Sequence, residues 1–582
     1  MVTVQTHPSP RLPAWRFIVI AAVAVLAVAI GVAAGSVLLV SRTAAVGAGS
    51  SYVPASAPFY FEMRLEASEA QDGALREMLG HFPPIEGIDL DRPLYDQIAL
   101  RLDELLADEG AGVTWSGDVA PWFDGRIGFA VTEIPLEAMS EVMPTDEMAT
   151  PGMVVLVGVT DATAAAASIE RLIAETGEAP TFTDQSHGGV TIRVSDDDGA
   201  YALTDDQLLI APSADDVIAA LDARESGSST LAEADEITRL TDALPSDWLA
   251  FGIYDFSDLM SAAISDGASA SPAMAEAFGA LLEHQPLRGA MAVTAAGDRL
   301  AVDVVTDPPT GPFAAENAER GLAGEVPADT IYYAEAGNLG TTLAAVIEPL
   351  KDAMASMPGG EDQVGTVEAA LGADLEELVS WIDDGAIAIG FDGEEPYGGM
   401  VLVPNDMDAA DRRLDQLASF AGLAALDPSN GVTVEESTIG SASVTTIRWE
   451  DSNAEPEAML PTPTGLAVQY AVTDDRVLIG LGETFVERVL ALEPADALGS
   501  VERFTSAIDE LGGVSNTGVA WLDLTGAREA LETYLLPRFG MLDTEGFYES
   551  EIRPWLLPLD RVVSVTRLEG DVLVQRGALL VD

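Results

Sequence analysis

Beyond residue 52 the chain is built from short runs in which apolar and polar positions alternate, separated by stretches of helical period. Period-2 alternation with aromatic content predicts a first strand at Phe59–Glu62. Helices are expected over Ala74–Leu79 and Leu94–Leu106, then strands over Arg126–Val131 and Met153–Val159. Asp161 suits the N-cap of a helix over Ala162–Glu175, which Gly177 would stop. Short strands follow at Val190–Val194, Ala200–Leu203 and Leu208–Ala211, with Asp205-Asp206 as a hairpin turn. A helical pair, a strand at Leu249–Tyr254 and a helix capped by Ser257 lead to a closing hairpin, Gly289–Thr294 with Leu300–Val305. Tight turns between adjacent strands imply antiparallel pairing, and helices inserted between strand groups imply an α+β class.

The same order of elements recurs in the second half. Tyr201–Ile210 (YALTDDQLLI) and Tyr470–Ile479 (YAVTDDRVLI) share seven of ten residues. Val53-Pro54-Ala55 corresponds to Val326-Pro327-Ala328, each leading into a strand (Phe59–Glu62; Ile331–Glu335). Trp122–Gly128 resembles Trp381–Gly390, and Gly152–Val157 with Asp161 resembles Gly399–Val403 with Asp408, which would repeat the helix cap. Tyr254–Ser257 resembles Leu522–Thr525, and Val293-Thr294 with Gly297-Asp298 resembles Val565-Thr566 with Gly570-Asp571. Collinear matches of this kind point to one duplicated unit. The second copy closes on Arg561–Thr566 with Val572–Leu580.

One run departs from both periods. Residues Phe17–Val40 are uncharged and apolar, and as a helix they would extend roughly 36 Å at ~1.5 Å per residue, enough for a ~30 Å hydrocarbon layer. Arg11 and Arg16 precede the run and Arg42 follows, a bias that favours the N-terminus inside and the body outside the cytoplasm. A cleaved signal peptide is the competing reading, but its apolar core is shorter. Gly31 and Gly35 stand at the spacing of a helix-dimer motif. The expected architecture is therefore α+β: an N-terminal transmembrane helix, then two tandem homologous domains with mainly antiparallel sheets covered by helices. Its parts are a cytoplasmic tail (1–16), a transmembrane helix (17–40), a tether (41–51), a first repeat (52–306), a Pro/Gly-containing linker (307–325) and a second repeat (326–582). The lipid bilayer is the expected partner of residues 17–40, and the localisation a single-pass cell-membrane protein.

Charge narrows the partners. Lys+Arg number 28 against 96 Asp+Glu, a formal net charge of −68, and Lys351 is the sole lysine. A phosphate backbone needs clustered cations, so nucleic acid is excluded as a partner. The acidic surface reads as a solvated face, an adaptation to salt, or a loose binder of divalent cations. The absence of cysteine excludes disulfides, thiolate nucleophiles and Cys-ligated metals.

Tyr52–Glu62 (YVPASAPFYFE), Ala74–Pro83 (ALREMLGHFP) and Pro121-Trp-Phe-Asp-Gly125 resemble a bacterial family, domain-of-unknown-function family 3352. The likeness spans most of residues 50–582. It implies an anchored, exported protein with a YVPA-type strand soon after the membrane helix, and it implies no catalytic residue.

Candidate chemistry is sparse. His81, His187 and His284 lack any HExxH or HxH spacing and do not recur between the copies. Ser186-His187-Gly188-Gly189 resembles an esterase oxyanion loop, yet no GxSxG elbow accompanies it, so a hairpin turn is expected. The recurrent acids, Asp124/Asp383, Asp161/Asp408, Asp205-Asp206/Asp474-Asp475 and Asp298/Asp571, all fall at expected turns or caps. Ser195–Gly199 carries three aspartates without the ligand spacing of a calcium loop, and Met139, Met143, Met148 and Met153 cluster in a Pro-containing loop without a supporting His. No catalytic, cofactor or metal residue is assigned, and no cofactor is expected. The reading is a non-enzymatic binding or scaffold module of the cell envelope, with an unidentified envelope protein or lipid as partner. Its alternatives are a carrier of an apolar ligand such as lipid, and a carboxylate-based envelope hydrolase.

Overall fold

A computed structural model describes residues 47–582 except 86, 109–111, 135–151, 176–180, 197–198, 227–229, 271, 357–363, 367, 370–371, 427–430, 450–465 and 540–545. The first half supplies β1 (Phe59–Arg64), β2 (Phe123–Glu133), β3 (Gly152–Val159), β4 (Phe182–His187), β5 (Val190–Ser195), β6 (Ala200–Leu203), β7 (Gln207–Ala211), β8 (Ala250–Asp255), β9 (Arg288–Ala296) and β10 (Arg299–Thr306). A two-residue strand β11 (Ala318–Glu319) precedes β12 (Thr330–Ala336), β13 (Ile382–Phe391), β14 (Pro396–Pro404), β15 (Val432–Ile439), β16 (Ala442–Trp449), β17 (Leu466–Val472) and β18 (Val477–Leu481). Then come β19 (Ser515–Asn516), β20 (Gly518–Asp523), β21 (Leu559–Glu569) and β22 (Val572–Val581).

One sheet has nine strands in the order β4-β5-β6-β7-β3-β2-β1-β8-β9. Another has eleven, β15-β16-β17-β18-β14-β13-β12-β20-β21-β22-β10. Over their first nine strands the two orders coincide position for position. The tenth strand of the first unit, β10, turns away from β9 at Gly297 (φ 57°), stays alongside it, and pairs antiparallel with β22. The two units are thus joined through their equivalent last strands.

The cores interlock at this seam. Val572 and Val574 of β22 pack in the same cluster as Tyr60, Trp248 and Phe251, while Ala301 of β10 lies in the cluster of Tyr333 and Trp521. The helix Pro272–Leu282, inserted after β8, packs on Leu339–Ser356 of the other unit. In the reciprocal direction, the Trp555 ring sits 6.3 Å from that of Phe82.

Single-pass architecture is corrected. Among the described residues no helix is long and apolar enough to cross a membrane. The reason is charge: Met407–Ala425 carries Asp408, Asp411, Arg412, Arg413 and Asp415, and Leu339–Ser356 carries Glu348, Lys351 and Asp352. The fold class that stands is α+β with large antiparallel sheets, and the cell-membrane localisation with an external body falls with the span. The run 17–40 and the tail 1–16 lie outside the described residues. Ala48–Tyr52, inside or bordering the expected tether, forms a 3-10 turn with Gly49, Ser50 and Tyr52 buried. Its counterpart Leu322–Glu325 lies within the expected linker.

Candidate functional site

The segment entering each unit is fixed by backbone bonds that recur. Leu231 N donates to Val53 O at 3.0 Å, and Leu498 N to Val326 O at 2.9 Å. Pro54 bridges Thr230, and Pro327 bridges Ala497. Val53 and Val326 are fully buried, which accounts for the repeated Val-Pro-Ala.

A side-chain clamp then ties this segment to the Thr-Asp-Asp turn. In each turn a threonine hydroxyl accepts from the backbone three residues on: Gln207 N to Thr204 at 3.0 Å, Arg476 N to Thr473 at 3.1 Å. In the first unit the Tyr52 hydroxyl donates to Asp206. Burial, with the Asp206 hydrogen bond next, pushes Tyr52 up to about 12, so it keeps its proton and donates. In the second unit the same place is held by Glu325, which accepts from Arg476 at 2.8–3.0 Å. The contact shifts by one turn residue between the units, from Asp206 to Arg476, the counterpart of Gln207, and its chemistry changes from a neutral donor to an ion pair.

Beneath the clamp lies a buried carboxylate. Glu62 is 2% exposed and accepts from the Tyr60 hydroxyl and, at 3.1 Å, from Gly49 N. The carboxylate lies against Gly47, where any Cβ would collide with it, and its second oxygen has no hydrogen-bond partner among the described residues. Glu335, 4% exposed, accepts from the Tyr333 hydroxyl at 2.5 Å, Leu322 N at 3.2 Å and Gly321 N at 3.1 Å. Burial raises both carboxyls above their usual range, against the opposing pull of these hydrogen bonds and of Arg126 or Arg320. Burial and the adjacent carboxylates also push both tyrosines well up.

The two sites differ in both cross-strand neighbours, and on one side Glu62 faces Gly128 where Glu335 faces Ala386. On the other side Glu62 stands opposite Phe251, and Glu335 opposite Val519. Phe251 stacks on Trp248 at 5.6 Å and meets Tyr60 edge-on at 6.5 Å. Beside Glu335 a cavity of about 220 Å3 remains, bounded by Tyr333, Phe504, Ile508, Asp509 and Val519.

Sequence reading did not single out Tyr60, Glu62, Tyr333 or Glu335. Their signal was present as Tyr-x-Glu at the same place in both first strands. Of the residues it weighed, Asp161 accepts from Thr163 N and Ala164 N at 2.9 and 3.0 Å, as a cap does. In the second unit the capping residue is Asp406, bonded to Ala409 N at 2.9 Å, and Asp408 lies inside the helix. Asp255, two residues before Ser257, caps the helix that Ser257 begins. Asp124 binds Arg126 and Asp298 pairs with Arg299, whereas Asp571 lies by Arg239 and no shift of role unites them with Asp383. His187 pairs with Asp222 at 2.5 Å beside the Gly188-Gly189 turn, His284 bonds Thr310 at 3.0 Å, and His81 is exposed. These histidines do not meet. Asp197, Asp198, Met139, Met143 and Met148 lie outside the described residues. Among the described residues no group of three or more His, Asp or Glu converges as a metal site.

No curated protein matches the chain. Solved structures similar to it include crystal forms I, IV and III of TP0453, at 7%, 10% and 12% identity. They cover 45%, 45% and 44% of this chain and 79%, 94% and 93% of their own, with TM-scores of 0.19, 0.19 and 0.17, levels at which the likeness carries no argument. A family model described as a protein of unknown function, DUF3352, matches residues 18–548. With most of its length under that match, the chain belongs to the DUF3352 family.

Proposed function

We propose that this chain is a non-enzymatic binding or scaffold module. One observation carries the reading: polar groups at equivalent positions of the two units are spent on holding backbone. Glu62 and Glu335 accept from entering amides, Thr204 and Thr473 close turns, and Asp255 and Asp523 cap helices. Side chains committed in this way are not available as a nucleophile or a proton shuttle. The test pairs native mass spectrometry of the freshly purified chain with a panel of ester, glycoside and peptide substrates. A defined bound molecule or partner without turnover is expected. Saturable turnover abolished by E335Q or D206N would overturn the reading.

A second reading, a carrier of an apolar ligand such as lipid, is favoured by one sheet face. Ile387 and Ile389 of β13 are 43% and 47% exposed, beside Tyr332 of β12, whereas Phe61 on the corresponding face of the first unit is 3% exposed. Large apolar side chains gathered on one face mark binding surfaces. Organic extraction and mass spectrometry of several preparations test it, and repeated absence of co-purified lipid counts against it.

A further inference from the structure

We infer that the cavity beside Glu335 is a binding site for a small primary amine with an apolar body, the size of a ring bearing a short aminoalkyl arm. The inference rests on the binding-module reading and names its ligand class.

Size comes first. An apolar cavity of about 150 Å3 admits benzene. The space beside Glu335 is about 220 Å3, which leaves room for the arm as well as the ring. Phe504, Ile508 and Val519 supply apolar wall, and the Tyr333 and Phe504 rings meet edge-on at 5.8 Å. The space exists because Val519 stands opposite Glu335 where Phe251 stands opposite Glu62. The first unit fills the corresponding place with the stacked pair Trp248 and Phe251, so one site per chain is expected.

Charge selects the head group. Glu335 lines the inner end, and Asp509, exposed on the helix Glu502–Glu510, lines the side open to solvent. The lining cation, Arg320, is ion-paired with Asp384, although its buried Nη1 makes no hydrogen bond among the described residues. Its Nη1 lies 3.0 Å from Asp384, its Nε donates to Asn516 O at 3.3 Å and its Nη2 to Thr517 O at 3.2 Å. Glu335 Oε2 already accepts two hydrogen bonds and Oε1 one, so Oε1 retains acceptor capacity. A donor head is therefore matched and an anionic head is opposed, in a chain whose formal charge is −68.

The experiment titrates the purified chain with phenethylamine, 2-phenylethanol and 3-phenylpropionate at low salt, by ligand-observed NMR and thermal shift. Phenethylamine should bind about tenfold or more tightly than 3-phenylpropionate, the scale of one charge-assisted hydrogen bond. V519F should weaken phenethylamine binding by about tenfold or more by restoring the bulk the first unit carries. D509N changes an exposed residue, so folding is retained, and it should weaken binding by about threefold, as a partly screened charge does. Equal binding of all three probes, preference for the carboxylate, no binding, or indifference to both substitutions would overturn the site. Those failures would leave the binding-or-scaffold reading standing, since only substrate turnover removes that.

Discussion

Asp303 lies directly across from Arg576 in the antiparallel pair β10–β22. Each is the fifth residue after its hairpin aspartate, Asp298 or Asp571, so the two positions are equivalent. A local two-fold therefore passes between them, and β10 of the first unit extends the sheet of the second at β22, while the nine-stranded sheet ends at β9. Since Val574 is fully buried in the core of the first unit, the halves should unfold together. V574A removes two buried methyl groups and should cost about 2 kcal/mol. Urea unfolding followed by circular dichroism measures the loss, and hydrogen exchange should show it in β1 and β9 as well as in β21. Separate transitions for the two halves would contradict this coupling.

The clamp above each buried glutamate predicts matched losses from unlike substitutions. Y52F removes the donor to Asp206, and R476Q removes the partner of Glu325. Both sites are part-buried, so each should cost about 1 kcal/mol in urea unfolding. If neither substitution has an effect, the backbone bonds of Val53 and Val326 alone hold the segment.

Local rules were legible where one residue decides the outcome. The Thr-Asp-Asp turns, the Asp161 cap and the closing hairpin of β21 with β22 could be read from spacing, because each depends on a few neighbours, whereas the expected pairing of β9 with β10 gives way to β10 with β22. Caps slipped where two candidates lie within two residues, as with Asp406 and Asp408, since either aspartate offers the same acceptor. Strands β4 and β15 were hidden because they are mostly exposed edge strands with little alternation to read. The Tyr-Glu pairs were missed for the opposite reason. β1 is buried on both faces, so Glu62 looks like an outward residue in a pattern read as one-sided. Pairing of β10 with β22 depends on no local signal at all, because any two edge strands satisfy the same backbone bonds.

Acidity should stabilise through Glu62 and Glu335. Burial raises both carboxyls above the usual 4.5, so the folded state holds the proton more tightly than the unfolded chain. This contribution is fully present below pH 4.5 and is lost as pH rises through the raised folded value. Each group can impose a slope of up to about 1.4 kcal/mol per pH unit within that window. The double substitution E62Q/E335Q leaves no proton to lose at these sites. Its unfolding free energy, measured from pH 4.5 upward, should fall less steeply than that of the unsubstituted chain. Parallel curves would place the pH dependence elsewhere.

Salt should act in the stabilising direction, and the sign follows from a competition. Screening weakens attractive pairs such as Arg488–Asp329 and Arg413–Glu377, and it also weakens repulsion among the surplus acids. With 96 acidic against 28 basic residues, most carboxylates have no cation to pair with, so repulsion is the larger of the two effects. The melting temperature should therefore rise from about 0.05 M to about 1 M NaCl, as the Debye length shrinks from roughly 14 Å to 3 Å. Choline chloride at equal ionic strength separates screening from specific binding of sodium: equal increments follow from screening alone. A melting temperature that falls with salt would mean that the ion pairs, and not the surplus charge, set the balance.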